Sequence, residues 1–547
     1  MRSKGIKLTL KDEGYDIYAP RQGMTWGYRY GPSIMCYDDR HADAWFASPG
    51  ALGEADWFTY RHTDDGGRTW TPEKVVLTPT ADSMDLFSVC DPGVIKFGGY
   101  YYIGYTSTVF TDGGGVCNNG FVARSKNPDG PFEKWTGYGW GEERVDSNGE
   151  RFVWMGKPAP IIYFDGEWHD WGAGELSFTI LNDVLYIYYT LTSSDADGVR
   201  VSETRVATAD ASDENWPLTI RQRGVASKRT SGGNDSFDVI YSEECAKFIA
   251  ISTDKRFTSE SMLAIYESDN GLRFKRCNEL RTYVNAACHN SGISGDELHH
   301  VKKGDLKLLG YAYGTKWGYW GTRFHEYSVA KYVGFYSETS LPCAERAVEP
   351  WPAAELPPIT VVPITQPGCP RFFKTRMGEP LDMRFGTLDS TYKLTETAKA
   401  EIYGYDTDVV DIKGYYAVPK RVGYTFATVE TAGVYSEFLI YVYPEDFDFA
   451  EDGKYPVSVA PSQETYKISL NRKEKKQVRA IIQYSNGTWE ESGHDHSYIK
   501  YESADPELCE VAEDGVVVTK GLCGKTKVTM TLAYGLTAEF KIVIGKM

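Results

Sequence analysis

The chain has 547 residues, too many for one ordinary domain, and a formal net charge of -17; that sign argues against a nucleic-acid or anionic-membrane partner, since those need basic faces. No run of about 18 apolar residues occurs, so a membrane-spanning helix is not expected. Aromatic residues make up 14% of the chain, with 39 Tyr and 14 Trp, a usage common to β-sheet proteins and to proteins that stack rings on sugars. The 10 cysteines are scattered without a CxxC pair, so free buried thiols are expected and no metal ligands are assigned.

From residue 25 to 335, strand-like runs alternate with Gly, Asn and Asp turns and no long stretch has helical periodicity, which predicts an all-β region. The first unit opens near Gly31 with GPSIMCYDD, where Asp38 and Asp39 fall in a turn and are expected in solvent. The second is CDPGVIKFGGYYYIGYT from Cys90, and the third is GELSFTILNDVLYIYYT from Gly174. These two overlay without a gap: Asp91 and Glu175 share a register, the pairs Gly98-Gly99 and Asn182-Asp183 fall together, and so do Tyr102-Ile103 and Tyr186-Ile187. Gly-Gly and Asn-Asp favour the positive φ angles of a tight hairpin turn. Further units are expected to open at Asp235 (NDSFDVIYSEEC) and His289 (HNSGISGDELHH), and a start at Lys157 leaves a sixth unit open. Repetition of this kind predicts a five-bladed β-propeller, in which equivalent strand starts converge on one axial funnel.

On the outer strands, Thr63-Asp64-Asp65-Gly66-Gly67-Arg68-Thr69-Trp70 resembles the Asp-box of sialidase-type propellers, and Glu267 to Phe274 is a looser copy. Both are expected to be structural turns. A proline-rich segment from Glu349, EPWPAAELPPITVVPITQPGCP, suits a stiff connection. Two β-rich segments follow, and the reading is a propeller over 1–345 with β-sandwiches over 346–450 and 455–547. The second resembles a bacterial Ig-like group 2 module through Ser503-Ala504-Asp505-Pro506, Asp514-Gly515-Val516-Val517 and Gly524; the first is a looser match. Such modules imply a bacterial protein that is secreted, periplasmic or held at the cell surface, with a cytoplasmic location as the alternative.

Glycoside hydrolysis requires a protonated acid at the leaving oxygen and an ionised carboxylate opposite, and acids at matched strand starts fit that need. The motifs DPGVIKFGGYYYIGYTS and GELSFTILNDVLYIYYT, with the GPF that closes the second unit, resemble the five-bladed glycoside hydrolases of families 43, 32, 62 and 117. The resemblance covers residues 25 to 335. It implies that Glu175 is the general acid and Asp91 the second-blade acid. Those families carry a first acid before the first-blade Pro, whereas this chain reads Arg29-Tyr30-Gly31-Pro32. Asp91 is therefore expected to act as base, with Asp235 or Asp238 of the fourth unit as the added carboxylate. Arg29, Tyr30, Trp171, Asp238 and His289 are the expected substrate contacts, and Trp154, Trp168, Trp317 and Trp320 lie in loops able to wall a sugar pocket. No cofactor is required; the resemblance implies a calcium ion or a water on the axis near His289.

The expected activity is release of a terminal furanose or pentose, such as arabinofuranose, galactofuranose or xylose, from an oligosaccharide or polysaccharide, with inversion favoured. A sialidase-like hydrolase and a non-catalytic glycan-binding propeller are the alternatives.

Overall fold

Paired positive φ angles make the expected hairpins. Gly98 (57°) and Gly99 (81°) join Cys90–Phe97 to Tyr100–Phe110, and Asn182 (53°) and Asp183 (60°) join Gly172–Leu181 to Val184–Ser194. Both are two-residue turns whose twist matches that of the strands they connect. The computed structural model describes residues 5–545 except 21–27, 51–55, 81–82, 84, 86–87, 111–115, 138, 146–150, 155–157, 165–169, 195–199, 229–234, 316, 345, 349–351, 366–371, 392, 398, 450–455, 464, 472–474, 485–488, 493–495, 497–498 and 533–535.

Five blades follow in chain order, the second and third joined into one sheet by the parallel pairing of Gly172 with Asn118. The first runs Tyr30–Cys36, Ala42–Ser48, Trp57–Thr63, Lys74–Leu77, and the second Cys90–Phe97, Tyr100–Phe110, Val116–Ser125, Glu133–Lys134. The third runs Gly172–Leu181, Val184–Ser194, Arg200–Asp210, Arg221–Lys228, and the fourth Asp235–Ser242, Lys247–Asp254, Met262–Ser268, Lys275–Leu280. The fifth runs Cys288–Ile293, Leu308–Tyr313, Gly321–Tyr332, and its outer strand is Gly5–Leu10 from the start of the chain, paired antiparallel from Gly5↔Tyr332 to Leu10↔Tyr327. Each inner strand touches the next, and the inner strand of the fifth sheet touches that of the first. The ring is thus closed as a β-propeller, with no edge left between the last blade and the first.

Every inner strand carries the same irregularity. A register shift falls at Tyr30/Ser33, Cys90/Gly93, Gly174/Ser177, Asp235/Asp238 and His289/Ser291. At each shift one residue has positive φ: Gly31 (59°), Asp91 (56°), Glu175 (54°), Ser236 (49°) and Asn290 (33°). A bulge of this sort re-aims a side chain away from the regular pleat. Ser236 and Asn290 hold the ring positions of blades four and five, one residue beyond Asp235 and His289, which correspond to Cys90 and Gly174 in the other blades.

Two residues further along lies a second level, Ser33, Gly93, Ser177, Asp238 and Gly292, that stitches blades together. Ser33 Oγ accepts the Val94 N–H at 3.0 Å, Ser177 Oγ accepts the Val239 N–H at 3.0 Å, and Asp238 Oδ2 accepts the Ile293 N–H at 2.8 Å. At the other two junctions backbones approach too closely for any side chain. A Cβ on Gly93 would lie 2.0 Å from Leu176 O, and one on Gly292 would lie 1.8 Å from Pro32 O.

The far end of the axis is closed by the fifth blade's own loop. The carbonyls of Gly295, Glu297, Leu298 and His299 accept N–H bonds from Cys36 (2.9 Å), Lys96 (2.8 Å), Ile180 (3.2 Å) and Tyr241 (2.8 Å), one from the inner strand of each other blade. A single strap therefore ties the ring and leaves a blind-ended pocket at the opposite end.

The Asp-box turn forms as expected. Asp65 Oδ1 accepts the N–H groups of Arg68 and Thr69, both at 2.9 Å, while Gly66 and Gly67 take positive φ and Trp70 is buried against Phe324. Burial opposes the Asp65 charge, but these donors outweigh it and hold the carboxyl below its ordinary range. In the second copy Asn270 does this work through Leu272 N and Arg273 N, at 2.9 and 3.2 Å, and Phe274 packs on Tyr188 and Phe237. Cys36, Cys90, Cys245, Cys277, Cys288 and Cys509 are free and buried.

After the propeller come two units with one strand order. In the first, Phe372–Arg376 runs parallel to Val434–Tyr443, followed by Gly423–Thr431 and Glu401–Tyr403, beside a sheet of Pro358–Pro363, Phe385–Asp389 and Leu394–Glu396. In the second, Thr465–Ser469 runs parallel to Thr537–Gly545, followed by Gly524–Thr531 and Lys500–Ser503, beside Pro456–Pro461, Ala480–Tyr484 and Trp489–Glu491. Val362 and Leu388 of the first unit pack on Trp57 and Val75 of the first blade.

Candidate active site

The upper ring and the residues just after it line a single axial cavity: Gly31, Pro32, Asp91, Pro92, Glu175, Leu176, Ser177, Ser236, Phe237, Asp238, Asn290 and Ser291. Four non-glycine residues in the left-handed region at one level is a concentrated cost, since each such conformation is unfavourable by roughly 1–3 kcal/mol. Strain of this kind persists where the surrounding structure enforces it, and here it turns two carboxylates and two amide or hydroxyl groups toward the axis.

Glu175 is 7% exposed. Its backbone N–H donates to Thr106 Oγ1 of the second blade at 2.7 Å, which fixes the turn that presents the side chain. Thr190 Oγ1 donates to Glu175 Oε2, and the Ser236 N–H donates to the same oxygen at 3.0 Å. These two donors converge on Oε2 and fix the orientation of the carboxyl group. Asp91 is half-buried, and Asn290 Nδ2 donates to its Oδ1 at 3.1 Å. The two acids thus sit in different settings, one enclosed and one partly open, the kind of asymmetry that separates the roles of paired carboxylates.

Asp238 also borders the cavity, but its oxygens serve the stitching level. Oδ1 accepts the Ser177 hydroxyl at 2.7 Å and the Val239 N–H at 3.1 Å, and Oδ2 accepts the Ile293 N–H. This arrangement joins blades three, four and five and differs from the substrate contact expected of it. Asp235 pairs with Thr253 through its backbone, and its side chain lies outside the described part of the protein.

Arg29 is likewise not placed as expected. It is buried, and its guanidinium makes a two-pronged pair with Glu73 at 2.8 Å (Nε) and 2.5 Å (Nη2) while Nη1 donates to Tyr28 O at 2.9 Å. Burial opposes the Glu73 charge, but Arg29 more than offsets it and holds that carboxyl below its ordinary range. The side chain that sequence order put in the vacant first-blade place belongs instead to the blade's interior.

Tyr30 and His289 come together. Their rings stack at 5.2 Å, and Trp320 lies 5.3 Å from Tyr30 and 4.5 Å from His289. Phe257 is 4.7 Å from His289, and Trp317, 71% exposed, stands 4.9 Å from Trp320. These rings form one wall beside Gly31 and Asn290. Trp171 is half-buried and its carbonyl accepts both the N–H and Nδ2 of Asn118 at 2.8 Å. Trp168 lies outside the described residues, as does the Trp154 side chain.

A carboxyl group that sequence reading missed stands behind this wall. Asp56 accepts the Tyr28 hydroxyl and, at 2.8 Å, the Tyr30 hydroxyl. Burial pushes Asp56 up to about 6, against the pull of the two phenols. The Tyr30 hydroxyl is in turn held well above its ordinary range by burial and by the nearby charges of Asp56 and Asp91. Nothing in the sequence near Asp56 marks it, because the contact depends on the ends of two first-blade strands, Tyr30–Cys36 and Trp57–Thr63, meeting across the strand between them. Ser236 and Asn290 did carry a signal: GPS, DPG, ELS, SFD and NSG all place Ser, Gly or Asp two residues after the ring position.

No protein-family model matches the chain, and comparison with curated proteins finds no match. Among solved structures, a family 117 glycoside hydrolase of the marine bacterium Zobellia galactanivorans aligns at 13% identity with a TM-score of 0.38, over 58% of this chain and 92% of its own. The Bombyx mori family 32 β-fructofuranosidase aligns at 9% identity with a TM-score of 0.38, over 79% and 90% respectively. An α-L-arabinofuranosidase of Podospora anserina, in complex with cellotriose, aligns at 9% with a TM-score of 0.35, over 58% and 98%.

Proposed function

We propose that the protein is a glycoside hydrolase that removes a terminal sugar at the blind end of the propeller axis. The observation that carries the reading is the upper ring: Asp91 and Glu175 occupy equivalent left-handed positions on adjacent blades and border one cavity. Glu175, enclosed and oriented by Thr190 and Ser236, protonates the leaving oxygen. Asp91, oriented by Asn290, takes the proton of the attacking water. The strap that closes the far end of the axis supports exo action, because a blind pocket admits a chain end and not a passing chain.

A neutral sugar fits the charges. Among the described residues Arg29 is paired with Glu73, Arg61 donates to the carbonyls of Ile17, Trp70 and Thr71, and Arg323 is paired with Asp16. A sialic acid carboxylate placed beside Asp91 and Glu175 meets repulsion, so the sialidase-like alternative gains no support. A furanose or pentose, small enough to enter between the acids and the ring wall, is the substrate class we favour. The exposed Trp317 offers its face to the sugar or to the next residue of the chain. We read the two C-terminal units as Ig-like spacers that brace the propeller, which accords with a bacterial enzyme acting on glycans outside the cell. No helix among the described residues is long and apolar enough to cross a membrane.

The test is sugar release from a panel of aryl glycosides and natural oligosaccharides by the wild-type protein and by Asp91→Asn and Glu175→Gln. Release by the wild type and its loss in both variants supports the reading. The empty first-blade place at Gly31 keeps one second reading alive, a glycan-binding propeller; saturable binding across the panel with no release would select it.

A further inference from the structure

We infer that the place of the absent first-blade acid is a water site: the notch at Gly31 holds the molecule that Asp91 deprotonates. The inference rests on the glycosidase reading and assigns to Gly31 a part in it.

A side chain at Gly31 (φ 59°) would carry the same backbone strain as its four counterparts, but space does not exclude one. Asp91, Glu175, Ser236 and Asn290 hold the same level of the ring with positive φ and carry side chains there. A Cβ built on Gly31 would lie 3.7 Å from Asp91 Cα and from Pro92 Cδ, and 3.9 Å from Asp91 Oδ1, all ordinary contacts. Gly93 and Gly292 are the contrast, because a Cβ there would collide with neighbouring backbone. The missing side chain at Gly31 therefore leaves room for a methyl-sized group 3.9 Å from Asp91 Oδ1. Within an open volume of about 310 Å³ that runs out to solvent, the cavity that Gly31 borders keeps about 20 Å³ of room for the centre of a water, against the roughly 10–15 Å³ that one water needs. Ser291 Oγ borders the same cavity, is buried, and has no hydrogen-bond partner among the described residues. A buried hydroxyl in that state calls for a water.

The step balances with one water. Its oxygen bonds to the anomeric carbon as the bond from that carbon to the leaving oxygen breaks. One water proton passes to Asp91, and the Glu175 proton passes to the leaving oxygen. The products are the free sugar, inverted at the anomeric carbon, and the shortened glycan. Asp91 then returns its proton to solvent and Glu175 regains one.

Two measurements test this. The first compares Gly31→Ala with Gly98→Ala, whose glycine has nearly the same φ (57°) but nothing within 4 Å of a built Cβ, and follows the product anomer by NMR. Expected are an inverted product, a turnover loss of about 10²-fold in Gly31→Ala with KM unchanged, and wild-type turnover in Gly98→Ala. A retained product, full turnover in Gly31→Ala, or an equal loss in Gly98→Ala overturns the inference and leaves the glycosidase reading standing. The second needs no variant: a crystal structure of the protein should show a water within about 2.6–3.2 Å of an Asp91 carboxylate oxygen, beside Gly31. A dry notch overturns the inference even if Gly31→Ala fails to fold. Absence of sugar release by the wild-type protein sinks the parent reading, and this one with it.

Discussion

Two residues along each inner strand separate the level we propose as reactive from the one that holds the ring together. Asp91, Glu175, Ser236 and Asn290 sit in the upper level with strained backbones. In the lower level, the oxygens of Ser33, Ser177 and Asp238 and the bare backbones of Gly93 and Gly292 secure the neighbouring blades. Carboxylates occur in both, so residue type alone does not separate catalyst from staple. What separates them is where they sit and what they join: Asp238 accepts from blades three, four and five, while Glu175 and Asp91 stand at the left-handed positions of the upper level, oriented by Thr190 with Ser236 and by Asn290.

The largest effect should come from breaking the upper level. Glu175→Gln is expected to lower turnover by about 10²–10⁴-fold, more for poor leaving groups than for good ones, with little change in thermal stability. Uniform loss across leaving groups would remove Glu175 from the acid's role. In the lower level, Asp238→Asn should show itself in unfolding instead. Weakened charge-assisted bonds to Ser177, Val239 and Ile293 predict a loss of about 3 kcal/mol in denaturant titration, and a KM shift without loss of stability would move Asp238 back among the substrate contacts.

A third prediction concerns the wall behind the upper level. Asp56 has its folded-state pKa raised to about 6, above the ordinary carboxyl value, so between about pH 4 and 6 the folded protein binds more protons than the unfolded chain. Its contribution to stability is full below that window, about 3 kcal/mol, and is lost as pH rises through it. Stability measured from pH 4 to 7 should fall less steeply in Asp56→Asn than in the wild type, and parallel curves would refute the assignment. The smallest effect is expected at the rim. Trp317→Ala should raise KM by about fivefold, the equivalent of about 1 kcal/mol of stacking, with kcat unchanged; a fall in kcat alone would place Trp317 closer to the reacting bond.

Much of this was legible in the chain. The hairpins at Gly98-Gly99 and Asn182-Asp183 follow from turn chemistry, and the shared register of Asp91 and Glu175 follows from their overlay, because local sequence fixes local geometry. The errors came from bulges and long-range pairing. A bulge shifts register by one residue, which hid Ser236 and Asn290 behind Asp235 and His289. Arg29 faces Glu73 across 44 positions of chain, and the hydroxyl of Tyr30 reaches Asp56 across 26; neither partner is visible from spacing. The strap from Gly295 to His299 was also unforeseen, since it works through carbonyls that any sequence supplies.

The most direct test of the central claim is a complex with the sugar the enzyme releases. The upper level should hold it, with the anomeric oxygen within about 2.6–3.2 Å of a Glu175 carboxylate oxygen and the ring beside Tyr30, His289 and Trp317. A sugar held instead in the groove lined by Lys255, Glu260, Arg281 and Leu341, with the axis empty, would contradict the account.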